Sequence, residues 1–335
     1  MLKRPLRDDF CMACEGQPVA IHRLIGARDP VLAVALGEGL LEFRSAETGT
    51  LHCRVAAHAD GLLAAARSPN DRFIATGGMD GFVRLWSASG ELLHQARLPG
   101  WVDQLAFVTN DHLLAGGGRT LAVVRGSSCE MVKLPSAILA LDVGPDEAGV
   151  PLALVARGNF VSLLDPNSLE DRDELPLRTQ IRRAVISRAG GVAALAGQDT
   201  HLRIMRLRDR QAGPLSGYVR TPKSLSFSPD GVLLATSGLD LGVVWILRDG
   251  TAQNAEPILF AHDGTPTTSV CFHPTHPRLL MATQAGGLFM VDAAAEDASL
   301  HASQIEGEVS TLAWSEECIV VGTRKGQLLA FRAES

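Results

Sequence analysis

Few residues in this sequence have the types and spacing that chemistry needs. Cys11-Met12-Ala13-Cys14 is a Cys-x-x-Cys pair, a spacing that serves metal chelation or thiol redox work. A structural zinc site takes four ligands, and a second pair is missing; Cys53, Cys129, Cys271 and Cys318 are solitary. If residues 10–14 form a strand, Cys11 and Cys14 point to opposite faces, which disfavours chelation. Packing on an outer strand is therefore the expectation. A metal-handling, zinc-related accessory role for Cys11 and Cys14 is the alternative.

The histidines read no further. His273, in Cys271-Phe272-His273-Pro274 and close to His276, occupies the place that Ser68-Pro69 and Ser228-Pro229 hold elsewhere, which marks a turn residue. His22 and His52 fall inside expected strands with no ligand partner at diagnostic spacing. No Gly-x-Ser-x-Gly elbow or Gly-x-x-x-x-Gly-Lys phosphate loop occurs, and Gly116-Gly117-Gly118 ends a small-residue strand rather than opening a helix. The expectation is a protein with no catalytic site, no cofactor and no metal.

What positions these residues follows from the rest of the chain. It has 335 residues, 46% of them hydrophobic and 20% charged, enough to bury a large core. The net charge of -6 argues against a nucleic-acid binder, which carries a basic surplus. No apolar run approaches the roughly 20 residues of a membrane span, and no apolar stretch follows the basic residues near Met1 as a secretory signal requires. Unpaired thiols in the cytoplasm are expected for the six cysteines. Arginine outnumbers lysine 27 to 4, a bias from which a GC-rich, bacterial genome is the expectation.

The chain repeats itself. His58-Ala59-Asp60 leads through an apolar stretch to the turn Ser68-Pro69-Asn70-Asp71; Phe73–Gly78 then leads into Met79-Asp80-Gly81 and closes with Phe82-Val83-Arg84-Leu85-Trp86. A second copy runs Ser224-Leu225-Ser226-Phe227, Ser228-Pro229-Asp230-Gly231, Leu233–Gly238, Leu239-Asp240 and Val243-Val244-Trp245. Both copies resemble the WD-repeat family of β-propellers. The resemblance implies an all-β ring of four-stranded blades with protein-protein interaction as its work.

Weaker copies fill the remainder. The closing position of each third strand falls at Phe43, Trp86, Val124, Leu164, Met205, Trp245, Val291 and Phe331, at intervals of 43, 38, 40, 41, 40, 46 and 40 residues. That spacing suits four-stranded blades of this family. One eight-bladed propeller over residues 1–335 is expected, with seven blades as the alternative; the blades run approximately 17–57, 58–98, 99–135, 136–176, 177–219, 220–262, 263–305 and 306–335. Residues 1–16 are the lead-in, and Phe10–Cys14 is expected to supply the strand the last blade lacks, closing the ring. After the fifth segment, an outer strand is expected around Leu215–Val219. Eight-bladed quinone-dependent dehydrogenases share this outline, but the clustered carboxylates of their calcium and cofactor site are missing.

The family resemblance further implies a hydrogen-bonded set within a blade: His58, Thr76, Asp80 and Trp86 in the second, and Thr236, Asp240 and Trp245 without a histidine in the sixth. The fifth keeps Asp199 with Met205 in the tryptophan place. The seventh keeps His262 and Thr283, with Gly286 near the aspartate place. Partners are expected on the face where loops entering the first strands meet those between second and third strands. Arg119, Arg157, Arg178, Arg182, Arg220 and Lys223 fall there as a basic crescent suited to an acidic protein segment, and Trp101, just ahead of a first strand, is a separate binding candidate with burial between blades as the alternative. Glu15, Glu38, Glu306 and Glu308 form an acidic sector, interrupted by Arg324 and Lys325. A monomeric propeller with protein partners, and no nucleic acid or membrane, is the sum of these expectations.

Overall fold

In a computed structural model the chain is described over residues 3–27, 29–248, 257–295, 300–316 and 318–333. Residues 1 and 2 of the expected closing segment, and 334–335 of the last blade, lie outside them.

Short apolar runs punctuated by Gly, Asp, Asn and Pro fold into antiparallel meanders, and no helix is present among the described residues. Eight four-stranded blades result. Blade 1 spans 18–56, blade 2 62–97, blade 3 104–133, blade 4 138–176, blade 5 181–215, blade 6 225–260 and blade 7 267–304; blade 8 takes 309–333 and the N-terminal strand.

Each second strand is sandwiched between neighbouring blades. His112–Gly117, Val192–Gly197 and Cys318–Thr323 are buried at every position, which is why they read as unbroken apolar or small-residue runs. The core is accordingly not one mass but eight layers, each shared by two adjacent blades. Leu154 and Leu163 of blade 4 pack with Ile181 and Leu195 of blade 5, for example, and Leu41 and Phe43 of blade 1 with Ile74 and Trp86 of blade 2.

The ring closes through strand Lys3–Ala13. It runs antiparallel to Gln327–Ala333 in register from Leu6↔Ala333 to Ala13↔Gln327, with a bulge between Asp8 and Phe10. It is longer than the expected Phe10–Cys14. Its first residues also pair in parallel with the outer strand of blade 7, Lys3↔Leu300 to Pro5↔Ala302, so that blades 7 and 8 join into one eight-stranded sheet.

Blade 1 grips the same strand from the other side by means the sequence did not advertise. Glu42 is fully buried; its carboxylate accepts from Arg44 Nε at 2.7 Å and from Arg54 Nη2 at 2.8 Å. Arg44 in turn donates through Nη2 to the Ala13 carbonyl at 2.9 Å, and Arg54 pairs with Glu15 at 2.6 Å. The closing strand thus contacts three blades.

The outer strand of blade 5 corrects one expectation. It is Ala212–Leu215, not a segment around Leu215–Val219. The chain leaves the sheet early because Tyr218 is buried in the layer between blades 5 and 6.

Candidate functional site

Loops between second and third strands meet loops entering first strands on one face, held together by backbone hydrogen bonds. Around blade 2, Leu98 N donates to Gly81 O at 2.8 Å and Val102 N to Gly78 O at 3.0 Å. Gly81 has φ +78° and faces the carbonyls of Leu98 and Gly100, where a Cβ would stand 2.8 Å from each. In blade 3, a Cβ on Gly117 would collide with the Trp101 backbone. Glycine at these two positions lets the loop carrying Trp101 cross close to both blades.

That loop presents Trp101 to solvent. The side chain is 60% exposed, whereas Trp86, Trp245 and Trp314 are buried at 5–8%. It lines a surface hollow with Met79, Asp80, Arg97 and Pro99. Burial of Trp101 between blades, the ordinary fate of an indole, is not its place here.

The four residues implied in blade 2 come together beneath this hollow. Trp86 Nε1 donates to Thr76 Oγ1 at 2.9 Å, Thr76 Oγ1 lies 2.9 Å from His58 Nε2, and His58 Nδ1 lies 2.8 Å from Asp80 Oδ1. Burial works to raise the Asp80 carboxyl, but hydrogen bonds from Arg84, His58 and the Phe82 amide outweigh it and hold the group at about 2. Burial lowers the His58 imidazole, so the ring is neutral. With Nδ1–H directed to the Asp80 carboxylate, Nε2 accepts from the Thr76 hydroxyl, and one tautomer satisfies the whole chain.

Blade 6 differs from what the repeat pattern implies. Thr236 and Trp245 are joined through Tyr218, whose hydroxyl lies 2.7 Å from Thr236 Oγ1 and accepts from Trp245 Nε1 at 2.7 Å. Asp240 is not part of the set; it is exposed and pairs with Arg220 at 3.2 Å. A phenol long enough to reach both partners makes a carboxylate and imidazole unnecessary. Tyr218, the only tyrosine in the chain, was the available signal, standing where a histidine precedes other blades.

In blade 7 the carboxylate comes from Asp263 rather than from the turn near Gly286. Thr283 Oγ1 donates to Asp263 Oδ2 at 2.6 Å, and His262 Nδ1 lies 3.1 Å from Asp263 Oδ1. Blade 5 has Asp199 paired with Arg203 at 2.5 Å on the surface, and Met205 wholly buried.

The crescent divides. Arg157 leaves it: it is 6% exposed, donates through Nε to Ser162 Oγ at 3.2 Å and pairs with Glu174 in its own blade. A buried guanidinium needs such partners, and its strand position aims it into the blade rather than outward. Arg119, Arg178, Arg182, Arg220 and Lys223 are exposed. Arg119 donates to Leu134 O at 3.0 Å and Arg182 to Gln198 Oε1 at 3.1 Å. The side chains of Arg178 and Lys223 have no partner among the described residues. The acidic sector is largely neutralised in place, with Arg324 on Glu308 at 3.1 Å and Lys325 on Glu306 at 2.7 Å.

Cys11 is exposed, and Cys14 lies just past the end of the closing strand, half-buried. Burial and the neighbouring Glu42 carboxylate push the Cys14 thiol up to about 12, the reverse of what a metal-binding thiolate needs. Among the described residues no group of three or more His, Cys, Asp or Glu is placed to hold a metal ion. No helix among them is long and apolar enough to cross a membrane.

Comparison with known proteins agrees with this architecture. Residues 49–87, from the turn before the outer strand of blade 1 through the third strand of blade 2, match the family model of the WD domain, G-beta repeat. No curated protein matches the sequence. Among solved structures, the computationally designed Ika8 protein is similar with a TM-score of 0.78 at 17% identity, over 98% of this chain and 100% of that one. The last likeness is one of fold alone. Propellers built of WD repeats generally serve as protein-interaction scaffolds.

Proposed function

We propose that this propeller is a non-catalytic scaffold that binds an acidic segment of a partner protein on its loop face. The observation that carries the reading is the exposure of Trp101, at 60%, in a hollow with Met79 and Arg97. Exposed indoles are costly to leave in water and are enriched at binding hot spots. Arg119, Arg178, Arg182 and Lys223 supply cations along the same face, against the sign of a protein whose net charge is -6. They favour an acidic partner and steer its approach. Six free cysteines are in keeping with action in the cytoplasm.

Affinity capture from a lysate of the source cells, read by mass spectrometry, tests this. The wild-type chain is expected to retain a partner that Trp101→Ala and Arg119→Glu both lose. If every captured protein stays bound to both variants, the loop face around Trp101 is not the docking site.

A further inference from the structure

We propose that the central funnel of the ring, on the side of blades 5 to 8, binds a compact polyanion of the class of multiply phosphorylated small molecules. The funnel is a cavity of about 750 Å³ opening on the loop face. It reaches from Arg183 in blade 5 across to Gln17 and Val19 at blade 1, which stands opposite in a ring of eight.

Its charge is the first argument. Arg183, Arg220, Lys223 and Arg324 line the wall against a single carboxylate, Glu308. Arg324 is spent on Glu308 and Arg220 on Asp240. Arg183 and Lys223 have no ion-pair partner among the described residues. A concave, partly enclosed wall with uncompensated positive charge concentrates anions, and does so more strongly than a flat surface.

The second argument is how the wall is built. Where first and second strands begin to pair, a bulge skips one residue in blades 1, 2, 4, 5, 7 and 8: between Pro18 and Ala20, Leu62 and Ala64, Ile138 and Ala140, Ile181 and Arg183, Thr267 and Ser269, Val309 and Thr311. A bulge re-aims neighbouring side chains; in blade 5 it leaves both Arg182 and Arg183 exposed. The skipped residues are Arg182, Thr268 and Ser310 in blades 5, 7 and 8 but Val19, Leu63 and Leu139 in blades 1, 2 and 4; of the polar ones Thr268 and Ser310 line the cavity, so its hydroxyl wall lies toward blades 7 and 8.

Hydroxyls hold that side rigid. Ser224 Oγ bridges the backbone of Val270 at 3.1 Å, Ser226 Oγ accepts from Phe272 N at 2.9 Å, and Ser310 Oγ donates to Pro18 O at 2.5 Å. Ser269, Thr311 and Gln284 keep side-chain hydrogen-bonding groups without a partner among the described residues and line the same cavity. Two uncommitted cations and several free donors on a stiff wall suit a ligand with many acceptor oxygens; a lone carboxylate would engage only part of it.

Titration calorimetry of the full chain with tripolyphosphate at physiological ionic strength tests the site, with circular dichroism checking that each variant folds. One-to-one binding is expected, weakened about tenfold or more by Arg183→Glu or Lys223→Glu, the scale of one lost charge-assisted contact. Arg183→Gln, which removes the charge without adding one, should fall between. Arg208→Glu, in an exposed loop between third and fourth strands, should leave binding unchanged. Absent binding, equal weakening by Arg208→Glu, or displacement by sulfate at matched ionic strength overturns the proposal. Lys223 belongs to both readings, but Trp101 and Arg119, on which the capture test of the partner reading rests, are not in the funnel wall, and Arg183 is not in the partner reading, so the two fail separately.

Discussion

The Trp245 indole donates its N–H to the hydroxyl of Tyr218, 2.7 Å away and in the loop that enters the same blade. This pair does in blade 6 what histidine, threonine and aspartate do in blade 2: it leaves no buried donor unpaired and ties the entry loop to the third strand.

Tyr218→Phe should therefore cost about 1–3 kcal/mol, the penalty for stranding the Trp245 N–H and the Thr236 hydroxyl in a buried site. Asp240→Ala, which removes an exposed ion pair, should change stability by less than about 0.5 kcal/mol. Urea unfolding of the two variants measures both, and comparable losses would restore Asp240 to the set.

Acid should weaken the ring well before its carboxylates protonate. His22 Nε2 is buried without a partner, and burial, with Arg67 close by, pushes the imidazole down to about 4. Between its ordinary value and that point the unfolded chain binds a proton the folded chain does not, so stability falls as pH falls. The loss between pH 6.5 and 4 should approach about 3 kcal/mol from this residue, at about 1.4 kcal/mol per unit. His58, also lowered by burial, adds in the same direction. His22→Leu should flatten the dependence of urea midpoint on pH over that window; an unaltered slope would assign the acid sensitivity elsewhere.

The seam depends on one carboxylate. Glu42→Gln leaves Arg44 and Arg54 facing a neutral amide in a buried site and should cost about 3–5 kcal/mol, whereas replacing Glu42 and Arg44 together with methionine should recover much of it. Deleting residues 1–16 removes the closing strand itself and should lower the melting temperature sharply. An unchanged melting curve after that deletion would falsify the clip.

The thiols should separate by exposure. Cys11 is exposed, while burial pushes Cys14 up to about 12 and Cys271 up to about 11. At mildly alkaline pH a thiol reagent should give a fast phase that Cys11→Ser abolishes, with Cys14 and Cys271 reacting only on unfolding. Fast labelling of Cys14 in the folded protein contradicts this.

Iodide should quench one tryptophan in four. Trp101 is exposed and the other three are buried, so Trp101→Ala should abolish the accessible fraction and leave stability within about 0.5 kcal/mol. Quenching that survives the substitution would place another indole at the surface.

The ring itself was legible in the sequence because its strands are short, alternate with turn residues and recur near every 40 residues. All eight predicted third-strand positions, from Phe43 to Phe331, lie in third strands. Less legible were features that depend on which side chains meet across blades. Tyr218 escaped because its partners, Thr236 and Trp245, lie 18 and 27 residues downstream and the family pattern calls for a histidine. Arg157 read as a loop cation because burial depends on Glu174 of the outer strand of its blade, not on its own neighbours in sequence. Glu42, Arg44 and Arg54 look like ordinary exposed strand residues until the N-terminal strand is laid over them.

Because Leu6 to Ala13 are bonded to Gln327–Ala333, roughly 300 residues away along the chain, the seam belongs to the end of folding rather than its start. During synthesis the first strand emerges long before its companion exists and must stay unattached while seven sheets assemble. A chaperone or a competing strand has its widest opportunity in that interval, and a chain arrested there would be an open arc with a sticky edge at each end.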